Sequence, residues 1–245
     1  MNWRKLLNTD KRLKQAVQKY WDARASNKAK QVGAGKIDAG TRGEVTGGSQ
    51  MGAMESLVAD ILCDAGLDRL HIRTRTSLEL PGYYRPEKKW DLIVVSNDQL
   101  VLAMEFKSQV GPSFGNNFNN RSEEAIGSAT DIWVAYREGR FGNAPAPFLG
   151  YFFLLEDCKR VNVPVRNKEP YFRVDPAFDK ASYSKRYELL CRRLVLERDY
   201  SAACLITATN SSKTILTQPA EDLSFQRFVA ALRGHAVSFV ESKRK

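Results

Sequence analysis

The stretch Trp90-Asp91-Leu92-Ile93-Val94-Val95-Ser96-Asn97-Asp98-Gln99-Leu100-Val101-Leu102-Ala103-Met104-Glu105-Phe106-Lys107 decides the fold. Trp90 to Val95 and Leu100 to Phe106 are apolar on both faces, as strands covered by helices on each side are. Ser96-Asn97-Asp98-Gln99 is a polar turn between them. With a three-residue loop, Asn97 to Gln99, Ser96 pairs with Leu100 and, counting back, Asp91 lies directly opposite Glu105. Opposed side chains share a face about 5 Å apart at Cβ. Period-two alternation adds Lys107 to that face and sends Phe106 to the other. A two-residue loop breaks this register. Two carboxylates on an apolar hairpin are costly to bury unless something compensates them. Mg²⁺ does so with one or two carboxylates, waters and substrate phosphate. Asp91 and Glu105 are therefore candidate ligands, and Lys107 a candidate for orienting water or offsetting charge on a phosphoryl transition state. A simple Glu105–Lys107 salt bridge on a strand is the alternative.

Downstream runs Ser108-Gln109-Val110-Gly111-Pro112-Ser113-Phe114-Gly115-Asn116-Asn117-Phe118-Asn119-Asn120-Arg121, read as a loop leaving the second strand. Asn and Gln can bond adenine bidentately and Arg can bond guanine. Ser108, Gln109, Asn116, Asn117, Asn119, Asn120 and Arg121 are thus candidate DNA contacts, the alternative being an ordinary Asn/Gly loop. A helix is expected from Asn120 to Glu138, capped by Asn120 with Glu123, its core face formed by Ile126, Ala129, Trp133 and Tyr136.

Upstream, 71–80 alternates as a third strand. Met54 to Ala65 reads as a helix with Leu57, Val58, Ile61 and Leu62 inward, ended by Gly66. Residues 3–25 read as one or two amphipathic helices, and 26–50, with six glycines, as a long mobile loop or one that orders only on a ligand. Beyond the site, 149–155 and 202–207 read as strands, 183–199 as a basic amphipathic helix and 223–240 as one or two helices. One α/β domain over 1–245, with a central mixed sheet flanked by helices, accommodates this order.

The chain carries a net charge of +10, and residues 1–50 hold eleven Lys/Arg against four Asp/Glu. A basic face of this kind suits a polyanion, with Lys28, Lys30, Lys36 and Arg42 as candidate phosphate contacts; a solvated basic face is the alternative. No apolar run is long enough to span a membrane, and the polar start lacks the apolar core of a secretory signal, so a cytoplasmic protein is expected. The cysteines, 63, 158, 191 and 204, lack zinc-ribbon spacing and read as buried free thiols. Two histidines, His71 and His235, leave little room for a histidine triad or a multi-histidine metal site.

Trp90-Asp91 with Glu105-Phe106-Lys107 resembles the PD-(D/E)xK nuclease core. Glu105 through Arg121 is similar to the XhoI/PaeR7I family of type II restriction endonucleases, over most of the chain. Trp90 stands where the core's name places proline, a departure that core tolerates. The resemblance implies a homodimer cutting the duplex palindrome CTCGAG with Mg²⁺ to leave 5′ overhangs, and a cognate DNA methyltransferase protecting the host. It implies Asp91, Glu105 and the Phe106 carbonyl as metal ligands and Lys107 as the residue activating water. Many enzymes with this core place an acid on the preceding helix, which here is Glu55; a first-turn glutamate favoured by the helix dipole is the other reading. Two rival functions are a repair or recombination nuclease with the same core and a non-catalytic DNA-binding protein.

Overall fold

The computed structural model describes residues 9–33, 50–211 and 213–243; of Lys28, Lys30 and residues 31–33 it describes only the helical backbone. Its strands are β1 (Ile72–Arg73), β2 (Glu79–Pro81), β3 (Glu87–Lys89), β4 (Leu92–Ser96), β5 (Gln99–Gln109), β6 (Phe148–Glu156), β7 (Ala202–Ala208) and β8 (Leu216–Thr217). Its helices are α1 (Thr9–Gly33), α2 (Gly52–Asp64), α3 (Phe114–Arg137), α4 (Lys159–Asn162), α5 (Tyr183–Leu196) and α6 (Phe225–Ser242). Six strands form one sheet in the order β1-β4-β5-β6-β7-β8, while β2 and β3 form a separate arm. β4 and β5 are antiparallel; β5, β6 and β7 are parallel. The expected mixed α/β architecture is therefore present.

The hairpin reaches the expected pairing by a different route. Its loop is two residues, Asn97 and Asp98, with φ of 50° and 56°, a left-handed pair that Asn and Asp tolerate. Ser96 pairs with Gln99 and Val95 with Leu100, not Ser96 with Leu100. A bulge then inserts Val101, so that Val94 meets Leu102 and Leu92 meets Met104. Continuing that register sets Asp91 opposite Glu105. The bulge thus undoes the shift that the shorter loop imposes.

Both sheet faces are covered, as the unbroken apolar strands require. One core joins Leu13, Val17, Tyr20 and Trp21 of α1, Leu57, Val58, Ile61 and Leu62 of α2 and Phe228 and Leu232 of α6 to Leu102, Met104 and Phe106. The other joins Ala125, Ala129 and Ile132 of α3 and Tyr187 and Cys191 of α5 to Ala103, Tyr151 and Phe153. Gly66, at φ +102°, ends the α2 segment in a conformation that side chains rarely adopt. No helix among the described residues is long and apolar enough to cross a membrane.

Several expectations are corrected. Residues 71–80 are not one strand: Ser77 turns into positive φ, and Glu79–Pro81 pairs with β3 instead of the main sheet. The segment after β5 is not a long loop, since β5 runs on to Gln109 and α3 starts at Phe114, six residues before Asn120. Asn120 is therefore interior to a helix and caps nothing. The core face of α3 is Ala125, Ser128, Ala129, Ile132 and Ala135, whereas Ile126 is exposed. Ala129 is buried as expected, and Trp133 packs partly buried against this core. α1 continues through Gly33 into the expected loop; the remainder of that loop, with Lys36 and Arg42, lies outside the described residues. Cys191 and Cys204 are buried, but Cys63 and Cys158 are only partly so.

Candidate functional site

Asp91 enters β4 with its backbone N–H donated to the Met104 carbonyl at 3.2 Å. Its Oδ2 accepts the Phe106 N–H at 2.8 Å, so the carboxylate is oriented by β5. Glu105 is on the same face and is 1% exposed. Lys107 Nζ stands 2.9 Å from Glu105 Oε2. The other oxygen, Oε1, pairs with Lys88 of the β2–β3 arm. The Phe106 ring packs on Phe152 in the opposite core, so this residue borders the site through its backbone. Glu55, 8% exposed, reaches the site from the first turn of α2.

The electrostatics follow from burial and neighbours. Burial opposes charge on Glu105, but Lys107 and Lys88 together outweigh it and hold the carboxyl below its usual range. Burial also opposes charge on Lys107, and Glu105 and Asp91 overcome it, raising the ammonium's pKa. Asp91 is pushed upward by burial, with Glu105 adding to that and Lys107 opposing it. Glu55 rises to about 8, through burial first and the Asp91 carboxylate second.

These groups line one cleft of about 940 Å³, bordered also by Arg24, Arg85, Lys89, Asn117 and Arg121. Neither histidine lines it. Among the described residues no group of three or more His, Cys, Asp or Glu side chains forms a ready metal cage.

The candidate DNA contacts divide. Asn117 and Arg121, one helical turn apart on α3, face the cleft, whereas Asn116, Asn119 and Asn120 are exposed. Ser108 borders the cleft but accepts the Tyr20 hydroxyl at 3.0 Å. Gln109 is 3% exposed, its amide donated to the Val110 carbonyl at 2.7 Å. Nothing is described of the Lys28 and Lys30 side chains.

Sequence reasoning missed Lys88 and the bracket that holds its arm. Asp131 of α3, 3% exposed, accepts the backbone N–H groups of Tyr83 and Tyr84 at 2.8 and 2.9 Å and the Arg85 Nε–H at 2.7 Å. Gly82 packs so tightly there that a Cβ would stand 2.6 Å from both Asp131 Oδ2 and the Arg85 carbonyl oxygen. The run Glu87-Lys88-Lys89 directly before Trp90-Asp91 was the available signal for Lys88.

The sequence profile of the family described as restriction endonuclease XhoI matches residues 30–218. The chain is 48% identical over 208 residues to the type II restriction enzyme BstVI of Geobacillus stearothermophilus, covering 82% of this chain and 93% of that one. It is 44% identical over 194 residues to the type II restriction enzyme XhoI of Xanthomonas vasicola, covering 78% and 77%. It is 47% identical over 169 residues to the type II restriction enzyme AbrI of Azospirillum brasilense, covering 69% and 76%. No solved structure gives a significant match. With a family profile and relatives spanning most of its length, this chain belongs to the XhoI family of type II restriction endonucleases.

Proposed function

We propose that the cleft hydrolyses one phosphodiester of duplex DNA within a palindromic site, CTCGAG by family resemblance, leaving a 5′-phosphate and a 3′-hydroxyl. The observation carrying this reading is the convergence of Asp91, Glu105 and Lys107 on one face of β4–β5 at the floor of a cleft. The donors fit a hard divalent cation. Asp91 and Glu105 supply carboxylates, the Phe106 carbonyl is adjacent, and burial and the Asp91 carboxylate raise the Glu55 pKa to about 8 against the opposing influence of Arg75. A site with few protein carboxylates suits Mg²⁺, which keeps several waters and binds substrate phosphate directly. Bound there, the cation supplies positive charge against the scissile phosphate and acidifies a water.

Asp91 is held in position by the Phe106 N–H. Lys107 remains an ammonium and donates to the attacking water or a phosphate oxygen, offsetting the developing charge. Water attacks phosphorus in line, and the bond to the 3′ oxygen breaks. Arg121 and Asn117 stand on the same wall for contacts to phosphate or base edge. The basic segment with Lys28, Lys30, Lys36 and Arg42 adds phosphate contacts that steepen salt dependence. A homodimer matches the two-fold symmetry of a palindrome. The working context is the cytoplasm, beside a cognate methyltransferase.

The test is incubation of the protein with mixed-sequence plasmid and Mg²⁺. Discrete fragments ending in CTCGAG half-sites are expected. A smear would indicate a non-specific nuclease, and retarded but intact plasmid a DNA binder.

A further inference from the structure

Glu105 is nearly fully buried and carries two ammonium partners, one on each oxygen. Lys107 is intrinsic to β5 and shares the Glu105 face by strand alternation. Lys88 is different. It arrives from the β2–β3 arm, outside the six-stranded sheet, and lies over the Trp90 ring at 4.4 Å while also donating to the Lys89 carbonyl at 3.2 Å. At the centre of the cleft the Asp91 and Glu105 carboxylates face the Lys88 and Lys107 ammonium groups. Both Glu105 oxygens are already paired with ammonium groups, so a divalent cation binding there competes with Lys88 or Lys107 for the carboxylate.

We propose that Lys88 is a placeholder cation: it holds Glu105 ready in the metal-free enzyme, yields Glu105 Oε1 to the divalent ion, and moves onto a DNA phosphate. This rests on the reading of Glu105 as a metal ligand. A lysine suits the exchange because its ammonium is a compact point charge on a flexible four-carbon stem. The arm itself stays in place. The Asp131 bracket fixes its tip to α3 at three hydrogen bonds, so a displaced Lys88 ammonium remains in the cleft, where phosphate replaces carboxylate as its partner. The entry of metal and of DNA are thereby coupled through one side chain, and such coupling is reciprocal.

Calorimetric titration with Ca²⁺, without DNA, tests this on the wild type, Lys88→Gln, Lys88→Arg and Glu105→Gln. Lys88→Gln is expected to bind Ca²⁺ about tenfold more tightly, the worth of one hydrogen bond between charged groups. Lys88→Arg retains the competing charge and is expected to bind no more tightly than wild type. In a second titration, with duplex DNA, Ca²⁺ is expected to strengthen DNA binding less in Lys88→Gln than in wild type. Far-ultraviolet circular dichroism and thermal melting check that each variant is folded; Lys88→Arg carries the test of charge if Lys88→Gln is not, by weakening Ca²⁺ binding or leaving it unchanged as the placeholder requires, whereas tighter binding overturns it. Equal or weaker Ca²⁺ binding by folded Lys88→Gln, or unchanged coupling to DNA, overturns the placeholder role while leaving Glu105 a ligand. Full Ca²⁺ binding by Glu105→Gln instead removes the ligand reading, and the placeholder role with it.

Discussion

The Asp91 carboxylate accepts the Phe106 backbone N–H at 2.8 Å, tying the residue before β4 to the centre of β5. That bond gives Asp91 a structural duty separable from its charge. Asp91→Asn keeps an oxygen acceptor and is expected to remain folded while cleavage falls by several orders of magnitude. Asp91→Ala also loses the bond, at a further cost of about 1 kcal/mol in stability. Single-turnover cleavage and urea unfolding measure both; wild-type cutting by Asp91→Asn removes it from the metal site.

Lys107 is held protonated by Glu105 and Asp91 despite its burial. Without metal it therefore carries a positive charge and hydrogen-bond donors at neutral pH. Lys107→Ala is expected to slow cleavage by about 10²–10³, the usual loss for a donor aimed at developing charge, with DNA affinity in Ca²⁺ nearly unchanged. An unchanged single-turnover rate makes Lys107 a structural charge only.

Glu55, with a folded pKa of about 8, retains a proton that the unfolded chain has already released at neutral pH. The folded state thus binds more protons between the ordinary carboxyl range and about pH 8. The Glu55 contribution to stability therefore falls as pH rises across that interval. In metal-free buffer the melting temperature of the wild type relative to that of Glu55→Gln should drop from pH 5 to pH 8. Parallel curves for the two proteins mean that Glu55 is not the group responsible.

Asn117 faces the cleft and Asn116, Asn119 and Asn120 do not. A bidentate contact to a base is worth roughly 1–3 kcal/mol of discrimination. Asn117→Ala is expected to lower the preference for the cognate site over single-base variants by about tenfold or more, measured as binding in Ca²⁺, with non-specific affinity retained. The exposed asparagines should matter less. Full specificity in Asn117→Ala moves readout to other residues of the cleft wall.

Removing Asp131 leaves the Tyr83 and Tyr84 N–H groups and Arg85 without their acceptor. Asp131→Ala is expected to cost about 1–3 kcal/mol in urea unfolding and to make the 82–85 backbone amides exchange faster with solvent. Unchanged exchange there shows that the arm is held by its strand pairing alone.

What the sequence determined by itself was mostly local. Apolar runs on both sides of a polar turn specify two strands buried on both faces, and period-two alternation puts Glu105 and Lys107 together whatever surrounds them. Family membership was legible for the same reason, since the 105–121 stretch is a contiguous string. The pairing of Asp91 with Glu105 was expected from a loop of the wrong length; only the folded hairpin contains the Val101 bulge that restores it, because a bulge is set by packing on both sheet faces. The start of α3 was misread because Asn and Gly favour loops locally, while burial of Phe114 against Tyr183 draws them into a helix. The pairing of Lys88 with Glu105, 17 residues on, and of Asp131 with Tyr83, Tyr84 and Arg85, 46 to 48 residues back, was decided by tertiary structure, because no periodicity relates an arm outside the sheet to a helix beyond it. Burial of a carboxylate demands a partner, but which part of the chain supplies it depends on where the fold brings a donor within reach.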